Sequence, residues 1–210
     1  MTDFLWVKQV VDALQFEYLW PRVAPIEADW QRLARLAGGS LPSSFVFFIE
    51  NYGGAVLGSD DWSVEAPIIE PCSWGKAVGF GTIYPLQPGH AYDIEESQAP
   101  FMGRIPPGVL VFSHDAGGNM VCLDVCGEFP GSVWFWDHEQ RWFTGNLQDA
   151  SEELEAKGIE ANTLSVHGII REWARMHPEK CDRPADYMGM YRIAPTFEAF
   201  IKGLIKVPYE

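Results

Sequence analysis

The sequence predicts a single-domain α+β protein with a central, mostly antiparallel or mixed sheet and helices packed around it. Three observations support this class. Both ends of the 210-residue chain carry apolar residues at three- and four-residue steps, which is the spacing of amphipathic helices. The middle, from Ala55 to Asp137, alternates short apolar runs with Pro and Gly, as strands and turns do. No internal repeat or low-complexity linker divides the chain, so we predict one domain.

Three helices are predicted before the strand-rich region. The first covers about residues 4–20 and stops at a proline. The second ends at Gly38–Gly39, a sequence typical of helix termini. The third runs from about Pro42 to Tyr52, with Ser40 as its cap and Gly53–Gly54 closing it through a left-handed residue.

The strand-rich region contains one clear hairpin, in which two apolar runs flank the Gly117–Gly118 turn. Alternation along the runs after this turn places apolar side chains on both faces of the sheet. We expect helices to cover one face, and the other face to be either packed by loops or presented to a partner. The candidate strands are Val56–Leu57, Ala77–Tyr84, Val109–Ser113, Met120–Val125 and Ser132–Asp137.

The C-terminal part is predicted to be mainly helical. Residues 149–160 are acidic and form either a solvated helix or a mobile segment, whereas Thr163–His177 is a clear amphipathic helix. Residues 182–194 contain proline and are expected to be irregular. The last helix is predicted over Thr196–Val207.

The charge balance restricts the partners. Acidic residues number 29 and basic residues 15, which gives a net charge of −14. Such a surface repels phosphate backbones and anionic lipids, so we predict no direct nucleic-acid and no membrane binding. It favours a basic protein partner. The sequence shows no targeting signal and no segment of about 20 apolar residues, so we expect a cytoplasmic protein.

The four cysteines, Cys72, Cys122, Cys126 and Cys181, are expected to be buried thiols. Cys122 and Cys126 would lie about 13 Å apart on one strand face, too far for a disulfide or a shared zinc ion. We predict no metal site, no cofactor and no catalytic residue.

An alternative is a metal-dependent hydrolase, because several acidic residues and a histidine follow the predicted strands. Carboxylates and imidazole on neighbouring strands can bind a divalent ion or transfer protons. The competing interpretation is that Asp115 caps the glycine-rich turn and Asp124 marks the end of a strand. Ser113, His114 and Asp115 are adjacent, so they cannot form a catalytic relay. The residues of this candidate site are Asp115, Asp124, Asp137, His138 and Glu139.

Two tryptophans, Trp62 and Trp142, lie in polar sequence surroundings. Aromatic residues rimmed by charge are typical interface anchors, although partial burial against a loop is an alternative. With the acidic residues of nearby predicted loops they form the candidate partner-binding set of Asp60, Asp61, Trp62, Glu95, Glu96 and Trp142.

Several segments together resemble the Smi/Knr-like branch of the SUKH superfamily. They read L-P-x-x-F-x-x-F-I-x-x-Y-G-G, F-G-T-I-Y-P-L, I-P-P-G-V-L-V-F-S-x-D-A-G-G-N, V-C-L-D and V-W-F-W-D-H-E, followed by P-T-F-E-A-F-I. These segments cover most of residues 28–139 and 196–204, and their order and spacing make the resemblance specific. The helix at about 4–20 and a helical insertion at about 145–194 depart from the family pattern. The matching positions are Pro42, Gly53, Gly54, Gly81, Asp115, Gly118, Asn119 and Asp124.

The resemblance implies an α+β fold, no enzymatic activity and a role in protein binding. Bacterial members of the family resemble immunity proteins that neutralise toxins, often nucleases or deaminases, whereas fungal members act as regulators through protein contacts. The chain lacks the long polar tails of the fungal proteins, so a bacterial toxin-immunity protein is expected. The alternative is a regulatory scaffold that binds cellular enzymes. The matching positions are carried over as markers of the fold.

Overall fold

The N-terminal segment folds as a helix followed by a strand. The computed structural model describes residues 4–18, 20–70, 75–139, 146–181 and 183–209, so Cys72 and Trp142 lie outside the described residues. Helix α1 is Leu5–Leu14, and Gln15 ends it with a φ of 61°. Strand β1, Phe16–Tyr18, follows. The helix predicted over 4–20 is therefore too long, because a left-handed residue turns the chain into an extended edge strand.

Two further helices follow β1, as predicted. Helix α2 is Glu27–Ala37, and Gly38 closes it in the left-handed conformation with a φ of 73°. Helix α3 is Ser43–Tyr52, where Pro42 rather than Ser40 occupies the N-cap position. The left-handed residue after α3 is Gly54, with a φ of 85°.

The main sheet has seven described strands. Those after β1 are β2 (Ala55–Leu57), β5 (Thr82–Ile83), β6 (Val109–His114), β7 (Met120–Asp124), β8 (Val133–Trp136) and β9 (Met190–Ala194). Their order in the sheet is β1-β2-β5-β6-β7-β8-β9, and each neighbouring pair is antiparallel. The predicted hairpin is β6–β7, in which His114 pairs with Met120.

A second sheet joins β3 (Trp62–Pro67) to β4 (Ala77–Gly79) and β10 (Ile205–Pro208). The single strand predicted over Ala77–Tyr84 is wrong, because β4 and β5 belong to different sheets. The chain changes sheets at Phe80–Gly81, where the Phe80 amide donates to Val64 and the Gly81 carbonyl accepts from Leu57.

The C-terminal region differs from the prediction in two places, where strands form instead of a helix or irregular chain. The last helix, α6, is Phe197–Gly203, and β10 follows it where a continuing helix was predicted. The segment 145–194 contains helices α4 (Leu147–Ala156) and α5 (Val166–Met176). Its last residues form β9 at the edge of the main sheet, although they were expected to be irregular.

Both faces of the main sheet carry buried aromatic residues, so the second face is packed within the chain rather than presented to a partner. On one face, Phe112 of β6, Phe45 of α3 and Phe197 of α6 pack against one another. The centroids of each pair of these rings are 5.3–5.8 Å apart. On the other face, Trp134 contacts Tyr187, and Trp136 contacts Phe101. No helix in the described part of the chain is long and apolar enough to cross a membrane.

Candidate functional site

The acidic residues of the alternative hydrolase site serve the turns of the sheet. The Asp115 carboxylate accepts hydrogen bonds from the amides of Gly117 and Asn119, both at 2.8 Å, and from the Asn119 side chain at 2.9 Å. Gly118 takes the left-handed conformation that this turn needs. Asp115 is therefore the cap of the β6–β7 turn.

Asp124 lies at the far end of the same hairpin, opposite Val109. Strand β7 has five residues, so the four steps from Met120 to Asp124 separate Asp124 from the turn by about 13 Å. Its buried carboxylate accepts from the amides of Gly127 at 2.6 Å and Phe129 at 2.8 Å, and from the Tyr187 hydroxyl. Burial and this bond to Asp124 raise the pKa of the Tyr187 hydroxyl, so it stays a donor. Asp124 therefore organises a loop.

Asp137 and His138 are also occupied by structural contacts. The buried Asp137 carboxylate accepts from the Glu139 amide at 2.9 Å, and the Nδ1 atom of His138 lies 2.7 Å from the Asn119 side-chain oxygen. Within the described ranges, no group of three or more His, Cys, Asp or Glu side chains is arranged to hold a metal ion. The geometry gives the hydrolase alternative no support.

The described cysteines lie in different surroundings. Cys122 is fully buried in β7, and burial raises the pKa of its thiol. Cys126 lies beyond the strand and is exposed, contrary to the expectation of a buried thiol, and its Sγ lies 2.8 Å from the Ala37 carbonyl oxygen. Cys181 is half-buried.

The family-pattern glycines mark close approaches and turns. A side chain at Gly53 would place its Cβ 2.7 Å from the Ile49 carbonyl oxygen and 3.1 Å from the Cα of Pro85. A Cβ at Gly81 would lie 3.2 Å from the carbonyl oxygen of His114. Gly53 and Gly81 therefore serve close packing.

Five aromatic rings, with Tyr92 at their centre, form a connected group that we call the aromatic surface. It comprises Trp20, Tyr84, His90, Tyr92 and His114. The Tyr92 ring lies 5.6–6.3 Å from each of the other four ring centroids. Tyr92 is 37% exposed, Trp20, His90 and His114 are half-buried, and Tyr84 forms the buried base.

Asp93 holds the loop that carries this surface. It is only 1% exposed, and its carboxylate accepts from the amides of Gln87 at 2.6 Å and of Glu95 and Glu96 at 3.0 Å. The Ile94 amide also donates to the Pro85 carbonyl at 2.8 Å. Three donors on one buried carboxylate fix the loop, so Tyr92 is presented on a defined backbone.

The electrostatic environment of the aromatic surface is set by burial and by neighbouring carboxylates. Burial lowers the pKa of the His114 imidazole, and the Asp115 charge partly opposes this effect. The His114 Nδ1 atom lies 3.2 Å from the Tyr84 hydroxyl. Glu96 is exposed and accepts from the Gly89 amide at 3.1 Å, at the border of the surface.

The predicted partner-binding residues occupy two separate places. Glu95 and Glu96 lie beside the aromatic surface, where Glu95 also forms an ion pair with Arg32 at 3.1 Å. Asp60 and Asp61 are exposed at the opposite end of the β2–β5 pair, in the turn before β3. Trp142 lies outside the described residues, and the structure does not bring the others into one cluster.

Trp62 differs from a loop anchor. It is half-buried in β3 and packs against the core, and the Lys206 ammonium lies 4.0 Å from its ring centroid. For Trp62, the alternative interpretation from the sequence, partial burial, is therefore observed.

Sequence reasoning missed the aromatic surface. Its rings come from four separate stretches, and only His90 and Tyr92 are neighbours in the chain. The signal that was present is the density of aromatic residues and histidine between Tyr84 and Tyr92 in a segment without strand alternation.

The fold and this surface define a class of protein: an α+β domain that presents a preorganised aromatic surface from the loops of an antiparallel sheet. The chain belongs to the SMI1 / KNR4 family (SUKH-1), whose model matches residues 25–156. This confirms the resemblance.

The comparisons also found a relative in Bacillus subtilis (strain 168), the SPbeta prophage-derived uncharacterized protein YokK. It is 30% identical to this chain over an alignment of 115 residues, and the match covers 49% of this chain and 56% of the relative. The chain therefore spans little more than half of that relative's length. No solved structure matches.

Proposed function

We propose that this protein is a non-enzymatic binding module, a bacterial immunity protein that neutralises a toxin by covering its working surface. The observation that carries the proposal is the aromatic surface, which is partly exposed, rigidly held and bordered by Glu96. Tyrosine and tryptophan are enriched among the residues that dominate binding energy at protein interfaces. Membership of the SMI1 / KNR4 family supports a protein partner.

The charge of the chain indicates the class of toxin. A net charge of −14 speeds encounter with a basic protein. A toxin that acts on nucleic acid, such as a nuclease or deaminase, needs a basic surface to hold its phosphates. An acidic protein bound there would compete with the substrate. Neutralisation therefore requires no catalytic group and no cofactor in this chain.

The two predicted acidic groups have different roles in this proposal. Glu95 and Glu96 belong to the border of the aromatic surface and take part in the main contact. Asp60 and Asp61 form a second contact at the other end of the molecule. Truncation of Trp62 would also remove packing and its Lys206 contact, so a variant at this position does not report on binding alone.

The test is co-expression with the product of the toxin-like gene that neighbours the gene for this chain. Cell survival and co-purification are scored together, and the dissociation constant is then measured for two matched tyrosine variants. Tyr92→Ala should weaken the complex by about tenfold or more, as expected for an interface anchor. Tyr209→Ala removes an exposed tyrosine next to Asp61 and should have a smaller effect.

Each outcome has a definite meaning. Survival with a stable complex that Tyr92→Ala weakens supports immunity through the aromatic surface. A complex of unchanged affinity would refute the assignment of this surface. No rescue and no complex with any neighbouring product would contradict the immunity role and favour the regulatory scaffold.

A further inference from the structure

A groove of about 410 Å³ lies between helix α5 and the segment that joins the 3-10 helix Glu96–Phe101 to β6. Its walls are mostly apolar, and its volume is within the range of sites that take a few side chains or a small ligand. The apolar lining includes Leu36, Phe101, Met102, Ile105, Val109 and Leu110.

The floor of the groove is fixed. The Gln98 side chain bonds both backbone groups of Val111, accepting from its amide at 2.9 Å and donating to its carbonyl at 2.8 Å. At the rim, Met102 is 76% exposed, although methionine usually lies in apolar surroundings. A flexible, polarisable thioether at the mouth of an apolar groove is suited to contact with varied side chains.

The polar part of the lining is basic on balance. Arg171 and Arg175 stand one turn apart on α5, and the carboxylate in the lining is Asp186. This contrasts with the whole chain, where acidic residues outnumber basic ones 29 to 15. Arg171 is only 8% exposed, and burial lowers the pKa of its guanidinium, so a nearby anion would stabilise its charged form.

Arg175 is available for exchange. Its guanidinium pairs with Glu172 and Asp186, and all three side chains are substantially exposed to solvent. Solvent-exposed ion pairs contribute about 0–1 kcal/mol, so replacing one of these carboxylates by another costs little. A guanidinium beside an apolar wall can hold an incoming carboxylate through two hydrogen bonds.

We propose that this groove binds a segment of a partner polypeptide in which an apolar side chain adjoins a carboxylate. The apolar wall takes the side chain, and the two arginines take the carboxylate. The match to the family model ends at residue 156, before α5 and Asp186. The groove is therefore built where the family region meets a segment outside the match.

The test uses the whole chain with ¹³C-labelled methionine methyl groups, followed by NMR. The probes are the peptides acetyl-Leu-Glu-amide and its neutral isostere acetyl-Leu-Gln-amide. The Met102 methyl signal, identified with a Met102→Leu variant, should move on addition of the glutamate peptide. The signal of Met190, which is buried in β9, should not move. The glutamine peptide should bind about threefold or more weakly, because it lacks the charge.

Two variants complete the design. Arg175→Gln should weaken the glutamate peptide by about threefold or more, whereas Lys8→Gln should not. Lys8 is a matched control, since it is an equally exposed cation in an ion pair, but on α1. An unmoved Met102 signal, or equal binding of both peptides, would overturn the proposal. A Met102 signal that moves with protein concentration alone would assign the groove to a second copy instead. None of these measurements requires the toxin, so they are independent of the proposed immunity role.

Discussion

Replacing Asp93 with asparagine tests whether one buried carboxylate holds the loop of the aromatic surface. In the native chain, one carboxylate oxygen accepts from Gln87 and the other from Glu95 and Glu96. Asparagine keeps one acceptor oxygen for the amides of Glu95 and Glu96, but it places an NH₂ group against the amide of Gln87. The variant therefore weakens two bonds, loses one charge-assisted bond and leaves a buried donor without an acceptor.

The expected loss follows from these contacts. Hydrogen bonds to charged groups contribute about 1.5–3 kcal/mol each, and some of the exposed loop amides regain water. We therefore expect the free energy of unfolding to fall by about 2–4 kcal/mol. For a chain of this size, that loss corresponds to a melting temperature lower by roughly 5–15 °C.

The assay is urea unfolding followed by tryptophan fluorescence. The midpoint should fall while the slope of the transition stays constant, which indicates a change in stability rather than in the unfolded state. Asp60→Asn is the matched control, because Asp60 is exposed in a turn. If Asp93→Asn lies within about 0.5 kcal/mol of this control, as surface substitutions do, the loop is not held by this carboxylate.

Three further changes test other parts of the structure. Gly127→Ala should destabilise the chain by about 1–3 kcal/mol, because its Cβ would lie 2.9 and 3.0 Å from the oxygens of a buried carboxylate. Gly203→Ala meets only an ordinary 3.7 Å contact and should be nearly neutral; equal urea midpoints for these two variants would contradict the packing argument. Because burial lowers the pKa of His114, its neutral form contributes stability above about pH 6.5 that is lost as pH falls through the folded pKa. Wild type should therefore lose more stability than His114→Gln between pH 7.5 and 5.0, and a pH-independent difference in unfolding free energy would exclude this origin. In the native protein, iodoacetamide should label the exposed Cys126 before the buried Cys122. Equal labelling by peptide mass mapping would show that β7 is accessible.

The aromatic surface and the groove are connected by one short element. Glu96, at the start of the 3-10 helix, borders the aromatic surface, and Phe101, at its end, lines the groove. The two surfaces therefore lie at opposite ends of this helix. The two proposals nevertheless rest on different side chains and are tested by different reagents.

Features that depend on near neighbours in the chain were predictable. The end of α2 at Gly38 and the turn capped by Asp115 involve residues within four positions of each other. In each case the sequence supplies all the groups that make the structure, so the local pattern determines the result.

The sheet assignment of several strands was not predictable in this way. Residues 77–84 form one apolar run, yet β4 pairs with β3 and β5 pairs with β2 and β6. The stretch after Gly203 continues the helical pattern of α6, but Ile205 pairs with Glu65 instead. Pairing with a distant strand outweighs local preference, because a ladder satisfies the backbone groups and buries apolar surface together.

By itself, the sequence determined the α+β class, the family resemblance, the acidic balance and the capped turn of the hairpin. Only the tertiary structure decided which residues Asp124 contacts and where a partner surface lies. Asp124 meets Tyr187 across 63 positions of the chain, and Tyr92 meets Trp20 and His114 from separate segments. These contacts form because the antiparallel sheet brings distant segments side by side, and periodicity within one segment carries no information about which others it will meet.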